Sequence, residues 1–368
     1  MKKITRILSA PAFASVMSSL AAIAVGLLFG FFILLVSNPS QAFAGIWTIM
    51  KGGFSDGFKG IGNVLYYATP LIMTGLSVGF AFKTGLFNIG APGQLIVGAF
   101  VGIWTAVNCA FVPQPILWVV CFIAAMLAGA VWGAIPGLFK ALFNVHEVIA
   151  CIMCNYIGMY LVNFTIKNTN TYDQLKNQTV NIGQAAIPKL GLDKVFYNLK
   201  GRYMDISSVN GGILIAVILA IVIYVLLNKT VLGYELRACG FNKDASRYAG
   251  IKEKRGIMLS MTVAGALAAG AGALMYLAPA SGLHIHVIEV LSAQGFNGIP
   301  VALLGLSNPI GIIFSGLFVA YITQGGYYLQ RLNYMSEIID IIIAVIIYFS
   351  AFALMMKQVM AGLVSAKK

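Results

Sequence analysis

A chain of 368 residues that is 60% hydrophobic and only 10% charged is not that of a soluble domain, where about a quarter of residues carry charge; it is that of a polytopic membrane protein. The 24 basic and 11 acidic residues leave a net charge of +13. In a soluble chain that balance would suggest nucleic acid, but in a membrane chain the retention of basic loops in the cytoplasm accounts for it, and no nucleic-acid partner is expected.

The first element is an apolar run from about Pro11 to Val36, preceded by Lys2, Lys3 and Arg6. It imitates a signal peptide, and Ala42-Phe43-Ala44 imitates a cleavage site. A signal core has only about 7–15 apolar residues, so a retained first span, Val16–Val36, is expected. Further runs near the roughly 20 residues needed to cross a bilayer are Ile61–Phe82, Leu95–Phe111, Ile116–Phe143 and Val148–Ile166. A polar stretch from Lys167 to Asn210 follows, then Gly212–Leu227, then a charged stretch over 229–255. Gly256–Leu277, Val290–Leu306, Pro309–Tyr328 and Ile338–Met356 complete ten spans. The expected fold is an all-α polytopic membrane protein, a single transmembrane domain over residues 1–368 in two related halves.

Ten crossings put both chain ends on one side. Fifteen of the 24 basic residues then fall on the side of the N-terminus and nine on the other, six of those nine in the long 167–210 loop. Basic residues mark the cytoplasmic side, and long loops weigh little in that rule. Both termini and residues 229–255 are therefore expected in the cytoplasm, and residues 167–210 outside.

Gly75-x-x-x-Gly79, Gly98-x-x-x-Gly102 and Gly129-x-x-x-Gly133-x-x-x-Gly137 allow close helix packing. Two segments are rich in breakers: Thr84–Gln94 (TGLFNIGAPGQ) and Phe296–Pro309 (FNGIPVALLGLSNP). Each carries a Phe-Asn pair, at Phe87-Asn88 and Phe296-Asn297, in corresponding places of two halves. Paired interruptions point to an internal repeat around a central pathway; ordinary tight turns at a membrane face explain them equally.

No G-x-x-x-x-G-K-[ST] run occurs, so the chain carries no Walker-type nucleotide site. H-E-x-x-H is absent, and no catalytic residue is expected. Cys151-x-x-Cys154 has a redox or zinc spacing without a second pair and reads as small apolar packing residues. His284-x-His286 with Glu289 lacks a further ligand, so no metal site is expected. Glu147, Glu337 and Asp340 lie at span ends, leaving no midplane carboxylate of the kind ion coupling uses. The polar character left at membrane depth is amide and aromatic: Asn88, Gln94, Asn155, Tyr156 and Asn297. Converging amides suit a neutral polyhydroxylated or heteroaromatic solute; each alone also reads as a helix–helix hydrogen bond.

The charged stretch KTVLGYELRACGFNKDASRYAGIKEKR, Lys229 to Arg255, holds seven basic and three acidic residues between two spans. Charge at this density needs water or another protein around it, and it reads as the contact with a cytosolic motor. Its core, GYELRACGFNKDASRYAGI, resembles the cytoplasmic coupling segment of ABC-importer permeases of the branched-chain amino acid, ribose and nucleoside class, closest to the nucleoside branch. Three more blocks are similar to that branch in order and spacing: AFKTGLFNIGAPGQLIVG at Ala81, VHEVIACIMCNYI at Val145 and FNGIPVALLGLSNPIG at Phe296, over roughly residues 60–350. The resemblance implies a permease in a bacterial plasma membrane that imports nucleosides without an ATPase site or cofactor of its own. It implies a second homologous permease, a cytosolic ATPase holding ATP and Mg, and an extracytoplasmic substrate-binding lipoprotein. It implies ATPase coupling for Glu235, Arg237, Gly240, Asn242, Ala245, Tyr248 and Gly250. It also places Phe87, Asn88, Asn155, Phe296 and Asn297 near the translocation pathway, with Gln94 among the amides beside them.

Pro92 stands where the family usually has an acid, and His284–Ser292 is atypical, so a polar role at the first and the outer gate at the second are open to difference. The same architecture would also carry a simple sugar such as ribose or galactose. An ion-coupled transporter acting alone and a non-transport membrane scaffold are the alternatives of other classes.

Overall fold

A backbone in a bilayer has no water to bond, so long apolar runs close on themselves as helices, and helices dominate the computed structural model, which describes residues 11–182, 185–200, 203–278 and 282–350 with Phe352, Met355 and Gln358 beyond. Helix α1 covers Pro11–Ser37; α2 (Ala42–Lys51) and a tight turn lead into α3 (Gly57–Lys83). Then come α4 (Ala91–Asn108), α5 (Gln114–Phe143) and α6 (Glu147–Lys167). Two short antiparallel hairpins follow: β1 (Tyr172–Asp173) with β2 (Gln178–Thr179), and β3 (Tyr197–Lys200) with β4 (Tyr203–Ile206). After α7 (Gly212–Lys229), two short helices, α8 (Val231–Phe241) and α9 (Lys243–Tyr248), cover most of the charged stretch. The chain ends with α10 (Glu253–Tyr276), α11 (Ala293–Leu304), α12 (Pro309–Tyr327) and α13 (Ser336–Ser350).

Consecutive long helices run in opposite directions and leave two faces. The charged face carries α8, α9 and the turns at 84–90, 144–146 and 305–308; the hairpin face carries both hairpins and residues 282–292. Lys59 on α3 pairs with Asp205 on β4 at 2.6 Å, fixing the second hairpin to the helices.

Among the described residues, eight helical stretches are long and apolar enough to cross a membrane. The expected span Val290–Leu306 differs: only Ala293–Leu304 is helical, 12 residues or about 18 Å, little more than half of a core about 30 Å thick. The residues before it are held extended by groups far away in sequence. Ile285 N–H donates to Thr179 Oγ1 (3.1 Å), Val287 N–H to the Asn177 carbonyl (3.1 Å), and Asn163 Nδ2 to the Ile288 carbonyl (2.8 Å). The last expected span, to Met356, is helical over Ser336–Ser350, and most of its remainder lies outside the described residues.

Small residues set the helix contacts. On α5, Gly129 and Gly133 lie against Gly265 of α10 so closely that a Cβ on Gly265 would run into the Gly129 carbonyl. Gly75 and Gly79 of α3 accept Ile312 of α12 in the same way. Gly98 of α4 meets Ala269 of α10, and Gly298 of α11 meets Thr74 of α3. Exchanging α3 with α10, α4 with α11 and α5 with α12 therefore preserves the packing scheme. The contacts Thr74–Gly298 and Gly75–Val301 make α11 parallel to α3, and Gly98–Ala269 and Ala99–Gly272 make α4 parallel to α10. Since α3 and α4 are antiparallel, so are α4 and α11, and the repeat is inverted. The two Phe-Asn pairs are not in equivalent positions within it: Asn88 precedes α4, whereas Asn297 lies a turn inside α11. The second broken segment stays helical through Gly298 and Pro300 and breaks at 305–308, where Leu306 and Ser307 take positive φ.

Overpacking a tight contact costs about 1–3 kcal/mol or more. Gly265→Leu is therefore expected to reduce the monodisperse fraction on size-exclusion chromatography severalfold. Gly102→Ala, whose Cβ would meet nothing nearer than 3.7 Å, is expected to match wild type.

Candidate functional site

The turn between α3 and α4 enters the helical core from the charged face, and amide side chains satisfy its backbone. Asn88 donates from Nδ2 to Ser77 Oγ (2.9 Å) and to Gln94 Oε1 (2.8 Å). Its Oδ1 accepts from Gln94 Nε2 (3.2 Å) and from Gly90 N–H (3.1 Å). Asn155 on α6 closes the other side, accepting from Gly93 N–H (2.9 Å) and donating to the Ile89 carbonyl (2.9 Å). Ser77 in turn donates to the Ala264 carbonyl of α10 at 2.6 Å. Asn88, Gln94 and Asn155 are all buried. In this conformation these three expected pathway amides therefore bond to one another and to backbone and offer no surface to a solute. Ser77, the link to the second half of the chain, is in the sequence one hydroxyl in an apolar run; its signal is an isolated polar residue one helix away from clustered amides. The Cys151 and Cys154 thiols are buried beside this network.

The other expected pathway residues are more open. Phe296 is 37% exposed, and Asn297 and Pro300 of α11 line a cleft of about 420 Å³ with Ala344 and Tyr348 of α13. Phe87 stacks on Phe82 with centroids 5.1 Å apart and planes at 11°. Pro92, in the first turn of α4, lies directly on Gly295 of α11. Its place is thus an apolar contact between the two repeat-related helices.

The charged stretch hangs from the end of α7. Thr230 caps α8, its side chain accepting from Gly233 N–H (3.1 Å), and Asn242 caps α9, accepting from Ala245 N–H (3.0 Å). Gly250 ends the pair at φ +79°, a conformation that favours glycine. Leu236 and Cys239 turn inward, and burial raises the Cys239 thiol above its ordinary value, which keeps it protonated. Glu235 lines a cleft of about 240 Å³ with Lys252 and Arg255, and Arg237 donates to Asn228 Oδ1 (3.4 Å). Gly240 is not a surface residue in function: a Cβ there would lie 2.6 Å from the Gly85 nitrogen, so α8 rests directly on the backbone of the re-entrant turn. Tyr234, Phe241 and Tyr248 point outward, Tyr248 at 95% exposure. Among the described residues no three His, Cys, Asp or Glu side chains converge as metal ligands do; His286 pairs through its backbone with Gln178.

The family profile described as branched-chain amino acid transport system / permease component matches residues 60–351. The guanosine ABC transporter permease protein NupP of Bacillus subtilis is 38% identical over 94% of this chain and 95% of its own. The nucleoside ABC transporter permease protein NupB of Lactococcus lactis is 36% identical over 91% of this chain and 90% of its own. The glucose ABC transporter permease protein TsgB13 of Haloferax volcanii is 32% identical over 79% and 75%. The first two organisms each hold a second, more distant match, NupQ at 26% over 70% of this chain and 78% of its own, and NupC at 25% over 72% and 82%. No solved structure matches.

A buried polar group left without a partner costs about 1–3 kcal/mol. Asn88→Ala and Gln94→Ala are each expected to lower the thermal unfolding midpoint in detergent. Because the two amides share two hydrogen bonds, the double variant should lose less than the sum of the singles, as measured by intrinsic fluorescence on heating.

Proposed function

The chain belongs to the family of branched-chain amino acid transport system permease components, and on that premise we propose that it is the membrane-spanning subunit of an ABC importer of nucleosides. The observation that carries this reading is similarity over nine-tenths or more of both chains to guanosine and nucleoside permeases. The work is transport: the chain has no Walker run, so ATP and Mg belong to a cytosolic ATPase subunit, and a substrate-binding lipoprotein delivers the solute outside. A second, homologous permease completes the pair, in line with the two-permease sets NupP with NupQ and NupB with NupC. The charged face is the cytoplasmic one, with both termini on it, in a bacterial plasma membrane.

Coupling follows from the packing of α8. The exposed rings of Tyr234, Phe241 and Tyr248 face outward for the ATPase, while Gly240 bears on Gly85. A displacement of α8 reaches the turn that holds Asn88 without a compressible side chain in between. Glu235 and Arg237 belong to this contact region; Asn242, Ala245 and Gly250 hold its shape. The pathway runs where Phe87, Phe296 and Asn297 lie, and the network of Asn88, Gln94 and Asn155 is its inner closure.

The resemblance to TsgB13 favours one second reading, import of a simple sugar by the same machinery. In cells supplied with all subunits, labelled guanosine uptake is expected to require this chain and to stop when the ATPase is inactivated. Uptake of glucose in place of guanosine selects the sugar reading, and nucleoside uptake that survives loss of the ATPase overturns ATP coupling. Tyr248→Ala should reduce co-purification of the ATPase with no change in permease yield. Gly240→Ala should cut uptake about tenfold, equivalent to ~1.4 kcal/mol, with the ATPase retained.

A further inference from the structure

The half-helix α11 fills only the part of its track near the charged face, and the helices packed against it, α3, α12 and α13, continue past its end. Tyr67, Tyr327 and Asp340 stand on them at a common level beyond that end. The packing register gives the level. Gly298 meets Thr74, and Tyr67 lies about 10 Å from Thr74 toward the hairpin face at 1.5 Å per residue. Ser315 Oγ donates to the Val301 carbonyl, which puts Tyr327 roughly 13 Å beyond Gly298. Tyr348 shares the cleft of Asn297, and Asp340 is about 12 Å further out on α13. Ala293, the first residue of α11, is about 8 Å beyond Gly298. All three side chains thus stand just past the N-terminus of α11, on helices that pack around its track.

They are open and unengaged. Tyr67 is 37% exposed and Tyr327 44%, and Asp340 is exposed. Among the described residues, no hydrogen bond or ion pair takes up either hydroxyl or the carboxylate. Tyr67 is nevertheless held: its ring stands edge-on to Tyr66 at 5.3 Å, and the Tyr66 hydroxyl donates to the Met275 carbonyl (3.0 Å). Asp340 stands one turn into α13, at the hairpin-side end of that span, where a carboxylate keeps its water.

We propose that Tyr67, Tyr327 and Asp340 form the reception site for the solute on the hairpin side of α11. This rests on the nucleoside reading and gives it a chemistry. The two phenol rings present faces on which a flat base can stack. The Asp340 carboxylate accepts from the vicinal hydroxyls of an unmodified ribose. The same negative charge repels a nucleotide phosphate, so the site takes nucleosides and rejects nucleotides.

The test uses the complete transporter with all its subunits. In wild type, 8-azidoguanosine photolabelling of this chain is expected in the peptides containing Tyr67 or Tyr327, blocked by guanosine and not by guanosine monophosphate. Asp340→Asn is expected to cut guanosine uptake roughly ten- to a hundredfold, the range for losing a hydrogen bond to a charged group. Tyr327→Phe should keep most uptake and Tyr327→Ala should lose it, at unchanged complex yield. Labelling that falls elsewhere, or that persists at wild-type level in both Asp340→Asn and Tyr327→Ala, overturns the site while wild-type guanosine uptake leaves the transport reading standing. A wild-type transporter that moves no nucleoside overturns both.

Discussion

A chain that leaves helical geometry inside a bilayer must find partners for its peptide groups within the protein, and everything at the charged face depends on how the turn between α3 and α4 does so. Asn88 and Asn155 supply side-chain atoms to the backbone of Ile89, Gly90 and Gly93. Gln94 locks Asn88 in place, and Ser77 ties the assembly to α10. A buried amide is destabilising alone and stabilising only as part of a complete network. Here each amide is bonded, so a polar cluster in an apolar region acts as a fixed point for α3, α4, α6 and α10 together.

The inverted repeat distributes that rigidity unevenly. In the first half, α4 is an 18-residue helix whose entry is fastened by the amides. In the second, α11 is 12 residues long and is entered through an extended segment bonded to the hairpin side. Its contacts with α3 are small and apolar, at Gly298 and Val301. One half thus provides an anchored wall and the other a short helix laid along it, with Pro92 on Gly295 keeping the two in register.

Much of this was legible in the order of residues, for reasons set by the bilayer. A membrane enforces apolar length, so the long helices were readable as runs, and the Gly-x-x-x-Gly patterns on α3 and α5 do mark tight contacts. The break in Val290–Leu306 was not readable. That run is apolar enough for a span, and its extended start is imposed by Asn163, Asn177 and Thr179, more than a hundred positions away. The amides were recognisable as unusual, but their pairing across 62 residues of chain, as between Gly93 and Asn155, is tertiary information. Gly240 stood out by resemblance, and only the packing reveals that its neighbour is Gly85 rather than open surface.

The meeting of Gly85 and Gly240 also divides the chain into what can drift and what cannot. Backbone against backbone leaves no side chain to be lengthened, shortened or recharged, so this joint has no adjustable setting. The outward rings of α8 and α9, Tyr234, Phe241 and Tyr248, carry no such constraint, because they are exposed. Exchange of those rings would remake the outer surface and leave the backbone joint beneath it as it was.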